Sequence, residues 1–476
     1  MKYIDALKKY NEGKDRWCTP RKGSADYLKI RKMMKEITTS ATSAASASAS
    51  PKKASAKKAS ASPKKASAAK KAAAAFASVI ISSSKKPSSK TLLFKNAVMI
   101  QRFLKRKLIL TKNNIDTRVQ RYQLIKKRFD SIQGTECLTK KMFGQNKGYT
   151  LNGIVNLEKK MGSDSQYASI YLSSIPNLLG SFPIASKLMK ITPNHECETQ
   201  LNEWITQNIL IPKQSKHFVM MYKNTKCSLA GGTANKLVPA ERLVNYNELC
   251  DGDLRSLMTT DVMNDEMEMI NMAFQSLIAI ATYQKRIGLC HRDCHNGNFL
   301  YQIDNEVYKA KRSGGSSGGN LGYYHYVYNG FHFYLKRCSF NICIFDFGLS
   351  VPMNTAFDES ICTDYLRILN AFISREDYGW IDRTMDMDLS DDMNLLKSKV
   401  KEITKEFLSD DVEYAEDRID IFQEIIERVF KVFRTDTGIF RTKKPAKVLN
   451  KIPFVINKVS PYPDIKFKRD VQKLRR

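Results

Sequence analysis

The chain has 476 residues and a formal net charge of +30, and its basic residues concentrate at both ends. That length allows a two-lobed core with appendages, because single domains usually have about 100 to 200 residues. Ten cysteines follow no regular spacing, which excludes a disulfide framework, and we expect free thiols, a reducing compartment and no signal peptide. The longest apolar run is shorter than the roughly 20 residues of a membrane span, so we expect no membrane anchor.

Three basic segments are predicted in the first 130 residues. Residues 1–37 are predicted to form a small basic module, whose Trp-Cys-Thr-Pro-Arg-Lys-Gly sequence is similar to short segments in proteins of large DNA viruses. An amphipathic helix followed by a turn explains this segment equally well. Residues 38–90 are mainly Ala, Ser, Lys and Pro and lack the apolar bulk that offsets chain entropy, which predicts disorder. Residues 91–130 return to helical periodicity and are predicted to form a basic helical segment that packs on the core.

The predicted disordered tail contains two Ser-Pro-Lys-Lys units, at 50–53 and 62–65. They resemble the tails of linker histones, where lysines neutralise DNA phosphates without reading the base sequence. This resemblance implies that nucleic acid is a partner of the basic N-terminal tail. A solubilising linker is the alternative, because runs of charge are often simply solvated.

After residue 131 the sequence changes to the pattern of a mixed α/β domain. Apolar runs at 218–221 and 243–248 predict short strands, and the periodicity from about residue 265 to 286 predicts a long buried helix. Glycine clusters at 231–232 and 314–319 predict exposed loop insertions.

The strongest chemical signal is a pair of motifs in the second half of the chain. The sequence HRDCHNGN occupies residues 291–298, and IFDFG follows, after an insertion, at 344–348. Phosphoryl transfer needs a carboxylate that holds the attacking hydroxyl and further oxygen ligands that hold Mg²⁺ on the ATP phosphates. Asp293 fits the first role, and Asn298 and Asp346 fit the second. These motifs predict an ATP-dependent phosphotransferase.

In their order and spacing the two motifs resemble the H-R-D-x-x-x-x-N and D-F-G pair of protein kinases. The resemblance implies an α+β, bilobal fold with a small β-rich N-lobe at 131–250 and a helical C-lobe at 251–440, with a basic N-terminal extension and a basic C-terminal tail at 441–476. It also implies ATP and Mg²⁺ as cofactors and protein substrates with serine or threonine. The predicted strand pair at 323–335 and the short segment after Gly348 look most like divergent serine/threonine kinases of large nucleocytoplasmic DNA viruses. The implied location is the host cytoplasm, the nucleus or the virion.

A lysine and a glutamate upstream complete the resemblance. Lys187 lies in Ile-Ala-Ser-Lys, which resembles the V-A-I-K strand, and the resemblance implies that it binds the α and β phosphates. Glu198 is the predicted ion-pair partner of Lys187, with Glu196 and Glu203 as alternatives. These assignments depend on order along the chain rather than on a local signature.

The segment after the second predicted strand resembles the hinge that binds adenine. In that match Asn247 is the gatekeeper, and Glu248 and Cys250 provide the backbone hydrogen bonds. The strand at 243–248 would then run directly into the acidic turn that begins the C-lobe.

Three departures from the family pattern leave other functions open. The glycine-rich loop keeps Gly162 but replaces two glycines, so Ser163 and Asp164 would have to form the backbone nest over the phosphates. His295 stands where the catalytic loop usually has lysine, and no A-P-E sequence follows in 349–363. The last two departures favour a small-molecule kinase of the aminoglycoside or choline type. The first favours a catalytically silent kinase fold that binds DNA.

A zinc site is a further alternative at the first motif. Two cysteines and two histidines lie within six residues there, at Cys290, His291, Cys294 and His295. Structural zinc sites usually take their ligands from two separated pairs. No second pair follows nearby, and the phosphotransferase interpretation is therefore preferred.

Overall fold

The computed structural model divides the chain into two units, Met1–Ser88 and Ser89–Arg476. In the first unit it describes Tyr10, Lys29 and Lys32, each in helical conformation. In the second it describes residues 113–457, with gaps at 131–137, 144–145, 152, 162–167, 177, 179–180, 229–240, 259, 261–264, 313–320, 375–390, 410–418 and 436–437. The predicted disordered tail at 38–90 and nearly all of the predicted module at 1–37 lie outside the described residues, as do residues 91–112 and 458–476.

One antiparallel sheet contains seven strands of the described chain, in the order β1-β2-β3-β4-β5-β7-β6. Its strands are β1 (Leu138–Phe143), β2 (Asn146–Leu151), β3 (Val155–Met161), β4 (Ala168–Pro176), β5 (Ser181–Lys190), β6 (Met221–Ser228) and β7 (Glu241–Glu248). β5 lies between β4 and β7, and its Lys187 is opposite Asn245 of β7.

The strand predicted at 243–248 is confirmed as part of β7, whereas the strand predicted at 218–221 is wrong. β6 begins only at Met221, and Phe218 forms an isolated bridge with Ile344. The run from 218 to 221 is buried throughout and passes through the core. A short, fully buried apolar run has no periodicity that separates a strand from another core segment.

Eight α-helices are found in the described part of residues 113–457. They are α1 (Ile115–Phe129), α2 (Pro193–Ile205), α3 (Leu254–Leu257), α4 (Glu266–Ala281), α5 (Asn305–Arg312), α6 (Asp358–Ser374), α7 (Asp391–Phe407) and α8 (Ile421–Glu424). α4 continues as a π-helical turn to Ile287 and ends at Gly288, whose φ of 81° suits the left-handed C-terminal position. The predicted helix at 265–286 is therefore confirmed. Nearly every residue of α4 is buried, in line with its predominantly apolar sequence.

Helix α1 ends the predicted basic helical segment and is part of the core. The side chain of Asn114 caps its first turn by accepting from the N–H of Thr117 at 2.9 Å. Ile125 and Phe129 are fully buried, and the Phe129 ring stacks on Tyr246 of β7 at 4.7 Å between centroids. This helix therefore packs behind the strand that leads to the predicted hinge.

Three smaller sheets follow in the described chain. Their strands are β8 (Gly252–Asp253), β9 (Leu289–Cys290), β10 (Phe299–Ile303), β11 (Tyr323–Tyr328), β12 (Phe331–Lys336), β13 (Phe340–Ile344), β14 (Val351–Pro352), β15 (Phe440–Arg441) and β16 (Phe454–Val455). The orders are β13-β10-β8, β15-β12-β11-β16 and β14-β9. β10 and β13 pair in antiparallel fashion and carry the two motifs at their adjacent ends.

The strand pair predicted at 323–335 is confirmed as the hairpin β11/β12. Its two-residue turn consists of Asn329 and Gly330, both with positive φ, as the favoured hairpin turn requires. β15 pairs with β12, and β16 runs parallel to β11. The boundary predicted at residue 440 thus falls inside this sheet, to which residues 440–441 and 454–455 contribute strands.

A single hydrophobic cluster connects α1, the large sheet, α2, α4, the hairpin and α6 to α8. The described chain is therefore of the α+β class, with antiparallel sheets and helices around a shared core. Among the described residues, no helix is both long and apolar enough to cross a membrane.

Candidate active site

Strand β5 and helix α2 bring a buried lysine and glutamate together. Nζ of Lys187 lies 2.6 Å from Oε1 of Glu198 and 3.2 Å from Oδ1 of Asp346. Glu196 instead pairs with Lys226, and Glu203 accepts from Asn224. Of the three glutamates considered from the sequence, Glu198 is the one that meets Lys187 in the structure. Thr192 caps α2, and Pro193 occupies its first position, which fixes the start of the helix that carries Glu198.

The charges of this cluster shift one another's protonation. Burial acts to lower the pKa of Lys187, but Asp346 and Glu198 outweigh it and raise that pKa above its ordinary value. Burial raises the pKa of Glu198 to about 7, although the charge of Lys187 acts in the opposite direction. For Asp346, burial acts to raise the pKa, but Lys187 outweighs it and holds the pKa below its usual range. At neutral pH the cluster thus keeps a protonated amine beside an ionised Asp346.

The loop between β9 and β10 presents Asp293. Nδ2 of Asn298 donates to the carbonyl oxygen of Asp293 at 2.9 Å and to its Oδ2 at 3.0 Å. Nη1 of Arg367 donates to Oδ1 of Asp293 at 2.8 Å. About a quarter of the Asp293 side chain is exposed, so solvent or an acceptor molecule can still reach the carboxylate.

Asp364 anchors the same loop from helix α6. Its carboxylate accepts from the N–H of His291 and the N–H of Arg292, each at 2.8 Å. Asp364 is itself buried, and a buried carboxylate is stable when backbone donors satisfy it. Neither Asp364 nor Arg367 is predicted as a site residue from the sequence. The available signal was an acid on the apolar face of α6, between buried Ile361 and Ile368.

Two residues of the site have left-handed backbone conformations that side chains rarely adopt. Arg292 has a φ of 66° and Asp346 a φ of 64°. Neither is glycine, so each conformation costs free energy and persists because the surroundings impose it. Nε2 of His291 donates to the carbonyl of Phe345 at 3.0 Å, and Phe347 stacks on Tyr283 at 5.1 Å between centroids. These contacts fix the two motifs against each other.

Asn298 and Asp346 lie at adjacent ends of paired strands. The N–H of Phe345 donates to the carbonyl of Asn298 at 2.9 Å, which places the two motifs side by side. One carboxylate and one amide oxygen suit Mg²⁺, which usually takes one or two protein ligands and completes its shell with phosphates and water. The donor set therefore fits a magnesium–nucleotide complex.

The zinc alternative finds no support in the site. Two of the four side chains already have other partners. Sγ of Cys290 donates to Oδ2 of Asp364 at 3.2 Å, and both ring nitrogens of His291 are engaged, Nε2 with the carbonyl of Phe345 and Nδ1 with the N–H of Asp293. Among the described residues, no group of three or more His, Cys, Asp or Glu side chains is arranged to hold a metal ion.

The predicted hinge begins at the end of β7. The N–H of Glu248 donates to the carbonyl of Met220 at 2.9 Å and is already engaged. In the described part of the chain, the N–H and carbonyl of Cys250 have no backbone partner. Asn247, the predicted gatekeeper, is buried, and its Oδ1 has no hydrogen-bond partner among the described residues. Of the two residues predicted to bond adenine, Cys250 is therefore the one whose backbone N–H and carbonyl are not taken by another backbone group of the described chain.

The side chain of Glu248 has a structural role that the sequence did not indicate. Arg118 of α1 makes two hydrogen bonds to its carboxylate, one of them 3.0 Å from Nε to Oε2. Nη1 of Arg118 also donates to the carbonyl of Lys216 at 2.7 Å. Arg118 and Glu248 are 0% and 1% exposed. Helix α1 thus fixes the end of β7.

The predicted glycine-rich loop lies between β3 and β4. Gly162, Ser163 and Asp164 lie outside the described residues, and their role stays a prediction. The strands on either side pair in antiparallel fashion, with Met161 opposite Ile170.

Comparison of the chain with protein-family models and with curated proteins gives no match. The chemistry of the site is therefore judged from its residues and their geometry.

Proposed function

We propose that this chain is an ATP- and Mg²⁺-dependent serine/threonine protein kinase with a bilobal fold. The large sheet with α2 would form the N-lobe, and α4 with α6 to α8 the C-lobe. The observation that carries the proposal is the meeting of Lys187, Glu198 and Asp346 beside the Asp293–Asn298 pair. These five side chains come from four separate parts of the chain, and together they match the needs of phosphoryl transfer.

In this proposal each residue has a distinct task. Asn298 and Asp346 hold the metal ion, which, when bound, neutralises charge on the phosphates. Lys187 binds the α and β phosphates, and Glu198 holds the lysine in place. Asp293 orients the acceptor hydroxyl and takes its proton, while the new oxygen–phosphorus bond forms and the bond from the γ phosphorus to ADP breaks.

The wider assignments follow from the sequence and are proposals too. The inserted hairpin β11/β12 and the short segment after Gly348 support a relation to the divergent kinases of large DNA viruses. The basic N-terminal tail would bind nucleic acid through its phosphates. The protein would then act in the host cytoplasm, in the nucleus or in the virion.

A small-molecule kinase is the second candidate, and one observation favours it. Only nine residues separate Gly348 from the start of α6 at Asp358, and β14 within them pairs with β9. A short, paired segment offers little surface for an extended peptide. Fold alone does not separate the two activities.

The test is to incubate the purified chain with labelled ATP and Mg²⁺ and to follow label into basic proteins, into the chain itself and into aminoglycosides or choline. Label on serine or threonine supports the proposal, label on small molecules supports the second candidate, and no label contradicts both. Asp293→Asn and Asp346→Asn should each lower transfer by about 10²- to 10⁴-fold, as should Lys187→Met. Asp392→Asn, on the exposed start of α7, is the matched control. A folded Asp293→Asn protein that transfers phosphate as fast as wild type would remove Asp293 from its assigned role.

A further inference from the structure

The catalytic loop of this chain has histidine, rather than a permanently charged residue, at position 295, two residues after Asp293. The ring of His295 lies near the carboxylate, with Nε2 3.7 Å from Oδ2 of Asp293. Its Nδ1 accepts from the N–H of Gly297 at 2.9 Å, so the ring also caps the short turn that follows. An imidazole carries a full charge only when it is protonated. Position 295 of the loop therefore provides no permanent cation.

Arg367 reaches Asp293 from another element. It lies one turn after Asp364 on α6, and Nη1 donates to Oδ1 of Asp293 at 2.8 Å. Asp364 already anchors the backbone of the catalytic loop through the N–H groups of His291 and Arg292. Positions three apart lie on the same helix face. Helix α6 therefore places the Asp364 carboxylate against the backbone of the loop and the Arg367 guanidinium against the Asp293 carboxylate. The position of the guanidinium is thus fixed by the same helix that fixes the loop.

Two further cations near the site, Lys187 and Arg255, have different partners. Lys187 bonds Glu198 and Asp346. Arg255 donates to Oδ1 of Asn296 at 3.3 Å. Each oxygen of Asp293 receives a different donor, Oδ2 from Asn298 and Oδ1 from Arg367.

Building on the proposed kinase activity, we propose that Arg367 is a positioning residue that holds the Asp293 carboxylate and supplies the positive charge that the catalytic loop lacks at position 295. Arginine suits this task because its charge is permanent and its planar donors fix a carboxylate in orientation. A fixed cation near the acceptor oxygen costs no reorganisation when negative charge builds up during transfer. Since Arg367 also neutralises part of the charge of Asp293, it lowers the repulsion between that carboxylate and the incoming phosphates.

The test combines loss with rescue at a second position. Arg367→Ala should lower kcat by about 10²- to 10³-fold, with a much smaller change in the KM for ATP. Because a lysine at 295 would start beside Oδ2 of Asp293, the double variant Arg367→Ala/His295→Lys should recover kcat by about ten-fold or more. Added guanidinium should also raise the kcat of Arg367→Ala. A purely structural role for Arg367 predicts neither recovery.

Arg428→Ala is the matched control, because Arg428 pairs with Glu402 and Glu406 on the helical surface away from Asp293. Thermal unfolding of all variants identifies any that fail to fold. If Arg367→Ala is unfolded, Arg367→Lys, which keeps the charge, and Arg367→Met, which keeps the length without the charge, test the proposal instead. Arg367→Lys should retain more kcat than Arg367→Ala or Arg367→Met. An unchanged or higher kcat in Arg367→Ala overturns the inference, as does a loss that neither lysine at 295 nor guanidinium relieves. If Asp293→Asn is inactive while Arg367→Ala is fully active, this inference fails and the kinase proposal stands.

Discussion

Lys187 and Glu198 form an ion pair that is nearly closed to solvent, with side chains 6% and 1% exposed. Removing two charges from water is costly, and such a pair persists because each partner compensates the other. The second carboxylate, Asp346, shares the lysine at 3.2 Å. Burial and Asp346 both act to raise the pKa of Glu198, which reaches about 7. One proton near neutral pH therefore controls how firmly Lys187 is held.

This pKa predicts a pH dependence of the transfer rate. As the pH falls through about 7, Glu198 gains a proton, its hold on Lys187 weakens, and the rate should fall. Glu198→Gln should remove this acidic limb and lower the plateau by about 10²-fold, because the lysine is misplaced. The measurement is the rate between pH 5.5 and 8.5, a range chosen as about 1.5 units on each side of that pKa. Glu196→Gln, two positions earlier on α2 and paired with Lys226 instead of Lys187, should leave the profile unchanged.

Stability should respond to the same proton in the opposite direction. The pKa of Glu198 is higher in the folded chain than in the unfolded one, so the folded state binds the proton more tightly. The contribution of Glu198 to the free energy of unfolding is then fully present below its ordinary pKa of about 4.3 and declines as the pH rises through about 7. If the transfer rate of Glu198→Gln still falls as the pH drops through about 7, the titration seen in the rate profile belongs to another group.

The residues of the site divide into those that a local motif predicts and those that only the fold brings in. Asp293, Asn298 and Asp346 stand in short patterns whose order indicates their chemistry. Lys187 and Glu198 could be placed only by order along the chain. Asp364 and Arg367 contact Asp293 and its loop from more than 70 positions away. A contact over that separation leaves no signature in a single sequence beyond a charged residue on an apolar helix face.

At the scale of single elements, helix α1 supports the end of β7 through Arg118. The guanidinium bonds the Glu248 carboxylate and the carbonyl oxygens of Lys216 and Phe218. Oε1 of Glu248 also accepts from the N–H of Met220 at 2.8 Å. One buried ion pair therefore joins α1, β7 and the segment that enters β6.

Loss of this ion pair should destabilise the fold. Arg118→Ala removes the counter-charge of the buried Glu248 carboxylate and one donor from each of two carbonyls. We expect the free energy of unfolding to fall by about 3 to 5 kcal/mol. The double replacement of Arg118 and Glu248 by methionine should cost less than the single variant, since no charge is left unpaired. Urea unfolding measures both, and Arg128→Ala in the exposed last turn of α1 is the control. Equal losses in the single and double variants would show that packing, rather than charge, dominates.

Periodicity predicted the long buried helix and did not predict the shortest strands. The apolar stretch at 265–286 is α4 with its π-helical turn. Of the helical segment predicted at 91–130, residues 115–129 form α1, and residues 91–112 lie outside the described residues. Strands of two residues, such as β14 and β15, are too short for any pattern and exist because a neighbouring strand pairs with them. Their positions depend on pairing with strands that are distant in the chain, and a local sequence pattern does not show such pairing.

The segment after Gly348 is already ordered by backbone pairing. Val351 and Pro352 of β14 lie opposite Cys290 and Leu289 of β9. The hydroxyl of Thr355 donates to the carbonyl of Pro352, and that of Thr363 to the carbonyl of Glu359. No added phosphate is needed to position this segment, and Asp358 and Glu359 would repel one.

We therefore expect transfer without activation-segment phosphorylation. Protein made in bacteria and treated with phosphatase should be active at once. The triple change Thr355→Ala, Ser360→Ala and Thr363→Ala should keep most of the rate, because the hydrogen bonds lost are few and solvent-exposed. Time courses after phosphatase treatment provide the measurement. A lag that ends only after autophosphorylation of one of the three would contradict this expectation.

For the whole molecule, charge is separated along the chain. The excess of Lys and Arg lies before residue 130 and after 440, and the central part carries a small net negative charge. Binding of a polyanion should therefore depend on the ends of the chain, and catalysis on the middle.

This separation predicts independent DNA binding and turnover. Duplex DNA should bind without sequence preference, and log Kd should rise with log salt with a slope of around 0.9 per phosphate neutralised. Deleting residues 38–90 should weaken binding and reduce that slope, while turnover of a short peptide stays nearly unchanged. Fluorescence anisotropy over a salt series makes the measurement. If the deletion alters neither the affinity for DNA nor the salt slope, the tail does not bind DNA and serves only as a spacer.

The sheet β15-β12-β11-β16 also determines when folding can finish. The N–H of His325 in β11 donates to the side chain of Asn450, 125 positions later in the chain. A ribosome adds about 5 to 20 residues per second, so it takes on the order of ten seconds to make the 125 residues between these two positions. During that time the hairpin β11/β12 lacks its neighbouring strands β15 and β16. Both of its edges then present unpaired N–H and carbonyl groups, which favour pairing with other chains. This sheet is therefore completed only after residues 440–455 have been made, and a ribosome stalled before residue 440 would hold a chain with two open strand edges.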